Sequence, residues 1–147
     1  MRTVGVERTL AAPQSDVFDW LTDVTNYQRV PLVRRVTLVR PGHTAGNGEG
    51  AVRLVVTPLL RLTEEIVEYE PPRLMRYRLL NSVPPLRHQE GSITCEPCAS
   101  GTKVRWSSTF EIAAPFLAPI WTRLFLPVVR GGFVMVLRTA ERELRGG

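Results

Sequence analysis

The chain of 147 residues has few of the side chains that metal and thiol chemistry needs, with two cysteines and two histidines. Cys95 and Cys98 form a single C-E-P-C pair, whereas a structural zinc site takes four ligands. His43 and His88 do not have the spacing to complete such a set. A thioredoxin-like motif would begin a helix after a strand, but this pair falls in a predicted turn between two strands. We therefore expect two reduced thiols without a shared role, and no bound metal or cofactor.

Lysine is nearly absent, because eighteen of the nineteen Lys and Arg residues are arginines and Lys103 is the remaining one. The net charge of +5 is spread over nearly every predicted element, whereas a nucleic-acid surface is usually a patch or a stripe. We therefore expect no nucleic-acid partner, and peripheral contact with an anionic membrane stays open. The amino end lacks the charged-then-apolar leader of a secretory signal, which predicts a cytoplasmic location.

Internal repeats, low-complexity tracts and linkers are also missing. Hydrophobic residues make up 44% of the chain and charged residues 22%, which is typical of a globular domain. A chain of this length buries about 70% of the surface that its unfolded form exposes. We expect one domain over residues 1–147, present as a monomer or a homodimer.

The run from Val6 to Val30 predicts a strand, a short amphipathic helix and a turn. Pro13 suits the first helical position, where its missing N–H has no partner to lose, and Asp16 complements the helix dipole. Val17, Leu21 and Val24 recur at helical spacing and so share an apolar face. The helix is expected to break at Thr25-Asn26-Tyr27.

Alternating apolar residues between turn signals predict six further strands. Their connections are short, which favours an antiparallel sheet, because parallel pairs need crossovers of a dozen residues. The first strand ends at Ala12-Pro13, and the others are Val33–Arg40, Ala51–Thr57, Leu62–Tyr69, Leu74–Leu80, Arg87–Glu96 and Lys103–Ile112.

From Phe116 to Leu144, apolar residues recur every three or four positions, which predicts one helix of roughly seven turns. A membrane span is the alternative, since the first 22 residues of this segment are mostly apolar and a span needs about 20. Arg123 and Arg130 would each cost about 2.5–3.5 kcal/mol inside a bilayer, and the sheet needs an apolar second layer. We expect a core helix and no integral membrane segment.

Together these elements predict an α+β helix-grip fold, in which a curved seven-stranded antiparallel sheet wraps around the long C-terminal helix, with two short helices after the first strand. The chain resembles the START-like (SRPBCC) polyketide cyclase/dehydrase and lipid-transport superfamily over almost its full length. The resemblance rests on the opening run and on three later phrases, G-E-G-A-V-R, T-E-E-I-V-E-Y-E-P-P-R-L-M-R-Y and E-G-S-I-T-C-E-P…S-G-T-K-V-R-W. It implies a hydrophobic cavity, open at one end, that takes lipids, sterols, hormones or polyketides, and in some members cyclises and dehydrates polyketide chains.

Candidate cavity residues follow from helical spacing and strand alternation. Gly132 leaves space beside Phe125 and Val136 on the helix, and Trp106, Ser108 and Phe110 share the face of their strand that we expect to face the helix. A well-packed core without a void is the alternative. The predicted ligand-binding residues are Leu21, Tyr27, Val36, Leu54, Tyr77, Leu79, Ser92, Trp106, Ser108, Phe110, Trp121, Phe125, Val129, Gly132 and Val136, of which Ser92 is implied by the resemblance rather than by alternation.

The strand Arg87–Glu96 is ambiguous. Apolarity alone puts Ile93 and Cys95 inside, whereas the register of plant hormone receptors in the superfamily implies that Glu90 and Ser92 face the cavity. A bulge at Gly91 could reconcile the two. If His88 and Glu90 face inward, they form a catalytic pair suited to proton transfer; if not, they are surface residues.

Two functions therefore remain open at this point. The first is a carrier or sensor that holds a hydrophobic small molecule unchanged. The second is an enzyme of the polyketide cyclase/dehydrase type that uses the His88/Glu90 pair, with a substrate oxygen held by Ser108 or Tyr77. An interaction module that uses the arginine-rich surface is a third class. The aromatic and aliphatic character of the inward candidates favours the first.

Overall fold

The predicted helix-grip fold is confirmed in a computed structural model, which describes residues 2–44, 46–114 and 116–146, without the side chains of residues 88, 89 and 146. The chain forms a strand, two short helices, six further strands and a long helix. The elements are β1 (Arg2–Leu10), α1 (Gln14–Thr22), a 3-10 helix (Val24–Arg29), β2 (Arg35–Arg40), β3 (Val52–Val56), β4 (Arg61–Glu70), β5 (Leu74–Val83), β6 (Leu86–Cys98), β7 (Gly101–Ile112) and α2 (Ala118–Gly146).

All neighbouring strands pair antiparallel, in the order β1-β7-β6-β5-β4-β3-β2. Strands that follow one another along the chain are neighbours from β2 to β7, as the short connections predict. The first strand lies at one edge of the sheet and pairs with the last strand of the chain, so that β1 and β7 lie side by side beneath α2.

The two short helices close one end of the sheet. The first begins at Gln14, so Pro13 is its N-cap residue and lies one position earlier than predicted. Asp23 then caps the 3-10 helix by accepting a hydrogen bond from the backbone N–H of Thr25 at 3.0 Å. The Tyr27 hydroxyl donates to the carbonyl of Leu21 at 2.6 Å, which fixes the 3-10 helix against α1.

The long helix α2 packs mainly against β1, β7 and α1. Its second half buries Val136, Leu137 and Ala140 in the core. By length and composition α2 could also cross a membrane, and 22% of its most apolar 18-residue stretch is buried in the fold. The first half of α2 therefore presents much of its apolar surface outward.

The prediction of Trp121 as a ligand-binding residue is wrong, since Trp121 faces outward and is 52% exposed. Thr122 is the buried residue of this turn, and its hydroxyl accepts a hydrogen bond from the backbone N–H of Ile112 at 2.8 Å. Satisfying this N–H at the end of β7 fixes the rotation of the first turn of α2. A count of apolar spacing could not register that polar contact.

Candidate functional site

A cavity of about 490 Å³ separates α2 from the middle of the sheet. Because α2 lies over β1 and β7, it leaves a gap above β3, β4 and β5, and residues of all three strands line that gap. This volume lies within the range of sites for small organic molecules. The alternative of a core without a void is therefore wrong.

The mouth of the cavity is marked by residues that line it and are exposed at the same time. Two connections contribute, the segment 31–33 before β2 and the turn 57–60 between β3 and β4. The third side is α2, with Pro127, Gly131 and Gly132. The cavity therefore opens beside the first half of α2.

Aromatic rings form the inner wall. The Trp106 ring stacks on Phe133, with ring centroids 4.3 Å apart and an interplanar angle of 12°. The Trp106 indole N–H donates to the Tyr77 hydroxyl at 2.9 Å. This bond joins β7 to β5 across the intervening strand β6 and holds both rings in place.

A glycine on β6 makes this arrangement possible. Gly91 is the register partner of both Tyr77 and Ser108, and a Cβ at Gly91 would lie 2.2–2.5 Å from atoms of the Tyr77 ring. The missing side chain therefore gives the Tyr77 ring room to lie over β6 and reach Trp106.

We expect Gly91→Ala to lower the free energy of unfolding by about 1–3 kcal/mol, because the added methyl group overpacks the buried Tyr77 ring. Urea unfolding measures this change. Gly5→Ala is the matched control, since a Cβ there meets no atom within 4 Å. Equal stability of the two variants would contradict this role for Gly91.

A buried ion pair lies where the cavity meets the core. The Arg53 Nε donates to Glu64 Oε1 at 3.1 Å. Both residues are buried, with Arg53 1% and Glu64 6% exposed. Arg53 also lies over the Tyr27 ring, 5.4 Å from its centroid, and Glu64 lines the cavity. Burial is the largest single influence and lowers the pKa of Arg53, but the charge of Glu64, its hydrogen bond and the neighbouring tyrosines together raise it above the usual value.

The two cavity tyrosines remain protonated at neutral pH. Burial raises the pKa of Tyr27 to about 12, although the nearby Arg53 opposes the shift. Burial, and next the charge of Glu64, raises the pKa of Tyr77 as well. Both hydroxyls therefore act as neutral hydrogen-bonding groups rather than as bases.

The structure brings many of the predicted ligand-binding residues together around the cavity. Those that line it come from the 3-10 helix, β5, β7 and α2. They are Tyr27, Tyr77, Leu79, Trp106, Ser108, Phe110, Val129, Gly132 and Val136.

Three other predicted residues pack in the interior without lining the cavity. Leu21 lies on α1 and is fully buried in the core, and Val36 packs against the same core from the edge strand β2. Phe125 packs beside Phe110 and Val129, away from the open space. With Trp121, they are corrections to the predicted site, because apolar spacing identifies an inward face but not which part of it stays uncovered.

Leu54 and Ser92 were assigned to the wrong face. On β3 the inward positions are Arg53 and Val55, so Leu54 pairs with Thr37 and Thr63 on the outer face. The charge of Arg53 conceals this alternation in the sequence. Ser92 lies 3.3 Å from Ser107, hydroxyl to hydroxyl, on the face opposite the buried Ile93.

The predicted catalytic role of Glu90 is also wrong. Its carboxylate is exposed and approaches Arg76 at 3.4 Å on the outer face of the sheet. A bulge lies between His88 and Glu90, so that His88 is the register partner of Phe110 and Glu90 of Thr109. The side chain of His88 lies outside the described residues. Apolarity predicted the inward Ile93 and Cys95, which are fully buried.

Sequence reasoning missed Arg53 and Glu64. They are register partners on β3 and β4, but outer-face pairs such as Glu7 and Arg105 show the same pattern of opposite charges. Burial distinguishes the two pairs, and no sequence signal reports it. The mouth residues of the two connections were missed because they follow turn signals rather than a strand.

The part of the chain that the structure describes contains no cluster of metal-ligating side chains. No three His, Cys, Asp or Glu side chains there converge to hold a metal ion. Cys95 is buried, which raises the pKa of its thiol to about 12, whereas Cys98 is exposed.

The family model described as "Polyketide cyclase / dehydrase and lipid transport" matches residues 1–141. The chain belongs to this family. Cavity, sheet order and long helix agree with that membership, and the resemblance seen in the sequence is confirmed. A comparison with curated proteins finds no match.

Solved structures with the same fold cover nearly the whole chain. A protein from Thermus thermophilus is 18% identical with a TM-score of 0.80, over 99% of this chain and 98% of the other. A START superfamily protein from Mycobacterium smegmatis is 11% identical with a TM-score of 0.77, over 98% and 97%. The Zhui aromatase/cyclase from Streptomyces sp. R1128 is 21% identical with a TM-score of 0.76, over 98% and 93%. At these identities the similarity shows the fold.

Proposed function

We propose that this protein holds a hydrophobic small molecule, such as a lipid, a polyketide or an aromatic metabolite, in the cavity between α2 and the sheet. It acts as a carrier or a sensor. The observation that carries this proposal is an open cavity of about 490 Å³ with mostly apolar walls. Filling such a cavity with an apolar body removes apolar surface from water, which favours binding.

Polar groups of the wall predict where a polar end of the ligand would lie. Tyr77 and Ser108 flank Gly91 in one row across β5, β6 and β7, and Glu64 lines the same cavity. A few placed polar groups in an otherwise apolar site usually fix the orientation of a ligand. We expect a molecule with an apolar body and a hydroxyl or carbonyl group that faces this row.

Uptake of an apolar fluorescent probe, N-phenyl-1-naphthylamine, tests the proposal. We expect the emission of the probe to rise on binding, at one probe for each chain, and long-chain alcohols and aromatic ketones to displace it. No rise in emission, or a rise that these compounds do not reverse, would contradict a ligand site in the cavity.

One observation favours a second function, polyketide cyclase/dehydrase-type chemistry. Glu64 places a carboxylate beside a protonated tyrosine, Tyr77, at the wall of the cavity, which are groups that general acid–base catalysis uses. If Glu64 moves a proton of a bound polyketide chain, Glu64→Gln should lower turnover by about 10²–10⁴-fold while probe binding is retained. Because this variant also removes the charge partner of Arg53, circular dichroism must first show that it is folded under the assay conditions. Absence of turnover in the unmodified protein leaves the carrier role.

A further inference from the structure

Exposed apolar side chains gather where α2 begins. Phe116 and Leu117 directly precede the helix, and Ile120, Trp121 and Leu124 lie on its first two turns. All five are exposed. We call these five residues the apolar strip. A soluble protein rarely leaves large apolar side chains together on its surface without a partner for them.

The apolar strip continues the side of α2 that faces the cavity. At 100° per residue, Ile120, Trp121 and Leu124 fall within about 100° of one another. Val128, Gly131, Gly132 and Met135, which line the cavity, fall on the same third of the helix circumference. The strip therefore leads from the start of α2 directly to the cavity mouth.

The charge beside the strip is mainly positive. Residues 112–140 contain three arginines and no Asp or Glu, and the exposed Arg123 lies within the strip. Arg130 donates to the carbonyl of Gly5 on β1 at 3.1 Å, and Glu111, just before this stretch, pairs with Arg87 at 3.3 Å. The other two sides of the mouth repeat the pattern: the exposed Leu32 is followed by Arg34 and Arg35, and the exposed Leu59 by Arg61. Apolar side chains with arginines beside them match an anionic lipid surface, whose head groups attract the arginines.

We propose that the mouth of the cavity docks onto an anionic lipid bilayer. The apolar strip enters the interface between head groups and acyl chains, where tryptophan is favoured, and the neighbouring arginines contact the head groups. The second half of α2 stays on the sheet, since Leu137 and Ala140 are fully buried, so the helix lies at the interface and does not span it. This proposal holds whatever the cavity binds.

Tryptophan fluorescence with vesicles tests the docking surface. Trp20 and Trp106 are 7% and 5% exposed, whereas Trp121 is 52% exposed, so a change on vesicle addition reports mainly Trp121. We expect a blue shift with vesicles of phosphatidylcholine and phosphatidylglycerol, little shift with phosphatidylcholine alone, and a weaker response at high salt. Trp121→Phe should lose the shift but still sediment with the vesicles.

Charge introduced into the strip should prevent docking. We expect Ile120→Glu and Leu124→Glu each to weaken sedimentation with anionic vesicles by about tenfold or more, because a carboxylate opposes both burial and the anionic surface. Val67→Glu is the matched control: its side chain is exposed, and it lies six residues along β4 from Arg61 at the mouth, about 20 Å away. Probe binding in the cavity, measured without vesicles, should be unchanged in all three variants.

Three results would overturn the proposal. The first is absence of binding to anionic vesicles, and the second is an equal loss of vesicle binding in Val67→Glu and Leu124→Glu. The third is a dimer in light scattering that Leu124→Glu converts to a monomer, while neither form binds vesicles. The third result would assign the strip to a second copy of the chain. If a substituted variant unfolds, Leu124→Ser should show the same loss in smaller measure, and full vesicle binding by a folded Leu124→Ser would count against the strip.

Discussion

Removing Glu64 alone should cost about 3–5 kcal/mol of unfolding free energy, because it leaves the buried charge of Arg53 without a partner. We expect Glu64→Leu to lower the free energy of unfolding more than Arg53→Met does. An arginine cannot lose its proton in a protein, so Arg53 stays charged in Glu64→Leu, whereas Arg53→Met removes the group that cannot become neutral. The double variant Arg53→Met/Glu64→Leu should recover most of the loss, since apolar groups of similar size often replace a buried ion pair without cost.

Urea unfolding of the two single variants and the double variant measures this coupling. Glu7→Gln is the matched control, because Glu7 pairs with Arg105 at 2.9 Å with both side chains more than half exposed. An exposed ion pair is screened by solvent and contributes little to stability. If Glu64→Leu cost no more than Glu7→Gln, or if the double variant were as unstable as Glu64→Leu, the buried pair would not have the role assigned to it.

Gly132→Leu should weaken binding of N-phenyl-1-naphthylamine by about 10–100-fold. A Cβ at Gly132 meets no atom within 4 Å, so the leucine side chain has room to extend into the cavity and compete with the probe. Extra methylene groups in an occupied space cost about 1–3 kcal/mol, and each 1.4 kcal/mol is tenfold in affinity. The fold should survive, because leucine favours a helix more than glycine does.

Gly5→Leu provides the matched control for this change. Gly5 lies on β1, a Cβ there also meets no atom within 4 Å, and the residue does not line the cavity. Its probe affinity should equal that of the unmodified protein. Unchanged binding in Gly132→Leu would exclude the cavity as the probe site, and equal loss in both variants would show that leucine acts through the fold instead.

Much of the fold could be predicted from the sequence, because hydrophobic periodicity and turn residues report it directly. The alternation of Trp106, Ser108 and Phe110 identifies the inner face of β7, and all three residues line the cavity. The apolar spacing of α2 predicts a helix, and the structure has one from Ala118 to Gly146. These signals are local, so a single sequence suffices to read them.

The errors arise where a polar residue occupies an inward position or an apolar residue an outward one. Arg53 faces inward because Glu64 lies opposite it on the next strand, and Trp121 faces outward because Thr122 bonds to the end of β7. Glu90 lies outside by plain alternation from the buried Ile93, as apolarity alone predicts, so the error there came from the register that the resemblance implies. The positions of Arg53 and Trp121 depend on partners distant in the sequence, which periodicity within one element cannot report.

The cavity and the docking surface are linked by position. The same side of α2 carries the exposed apolar strip and, further along, the wall of the cavity. A hydrophobic ligand is poorly soluble in water, so an opening at a lipid surface would let it enter and leave without crossing water. Ile120→Glu should therefore slow transfer of N-phenyl-1-naphthylamine from anionic vesicles to the protein while leaving its affinity in vesicle-free solution unchanged.

A crystal structure of the protein saturated with N-phenyl-1-naphthylamine tests the central claim most directly. Density for the two aromatic groups between Tyr77, Trp106 and the 127–136 stretch of α2 is the predicted result. Density elsewhere on the surface, or a structure in which α2 closes onto β3, β4 and β5 and leaves no space, would contradict a ligand-binding cavity.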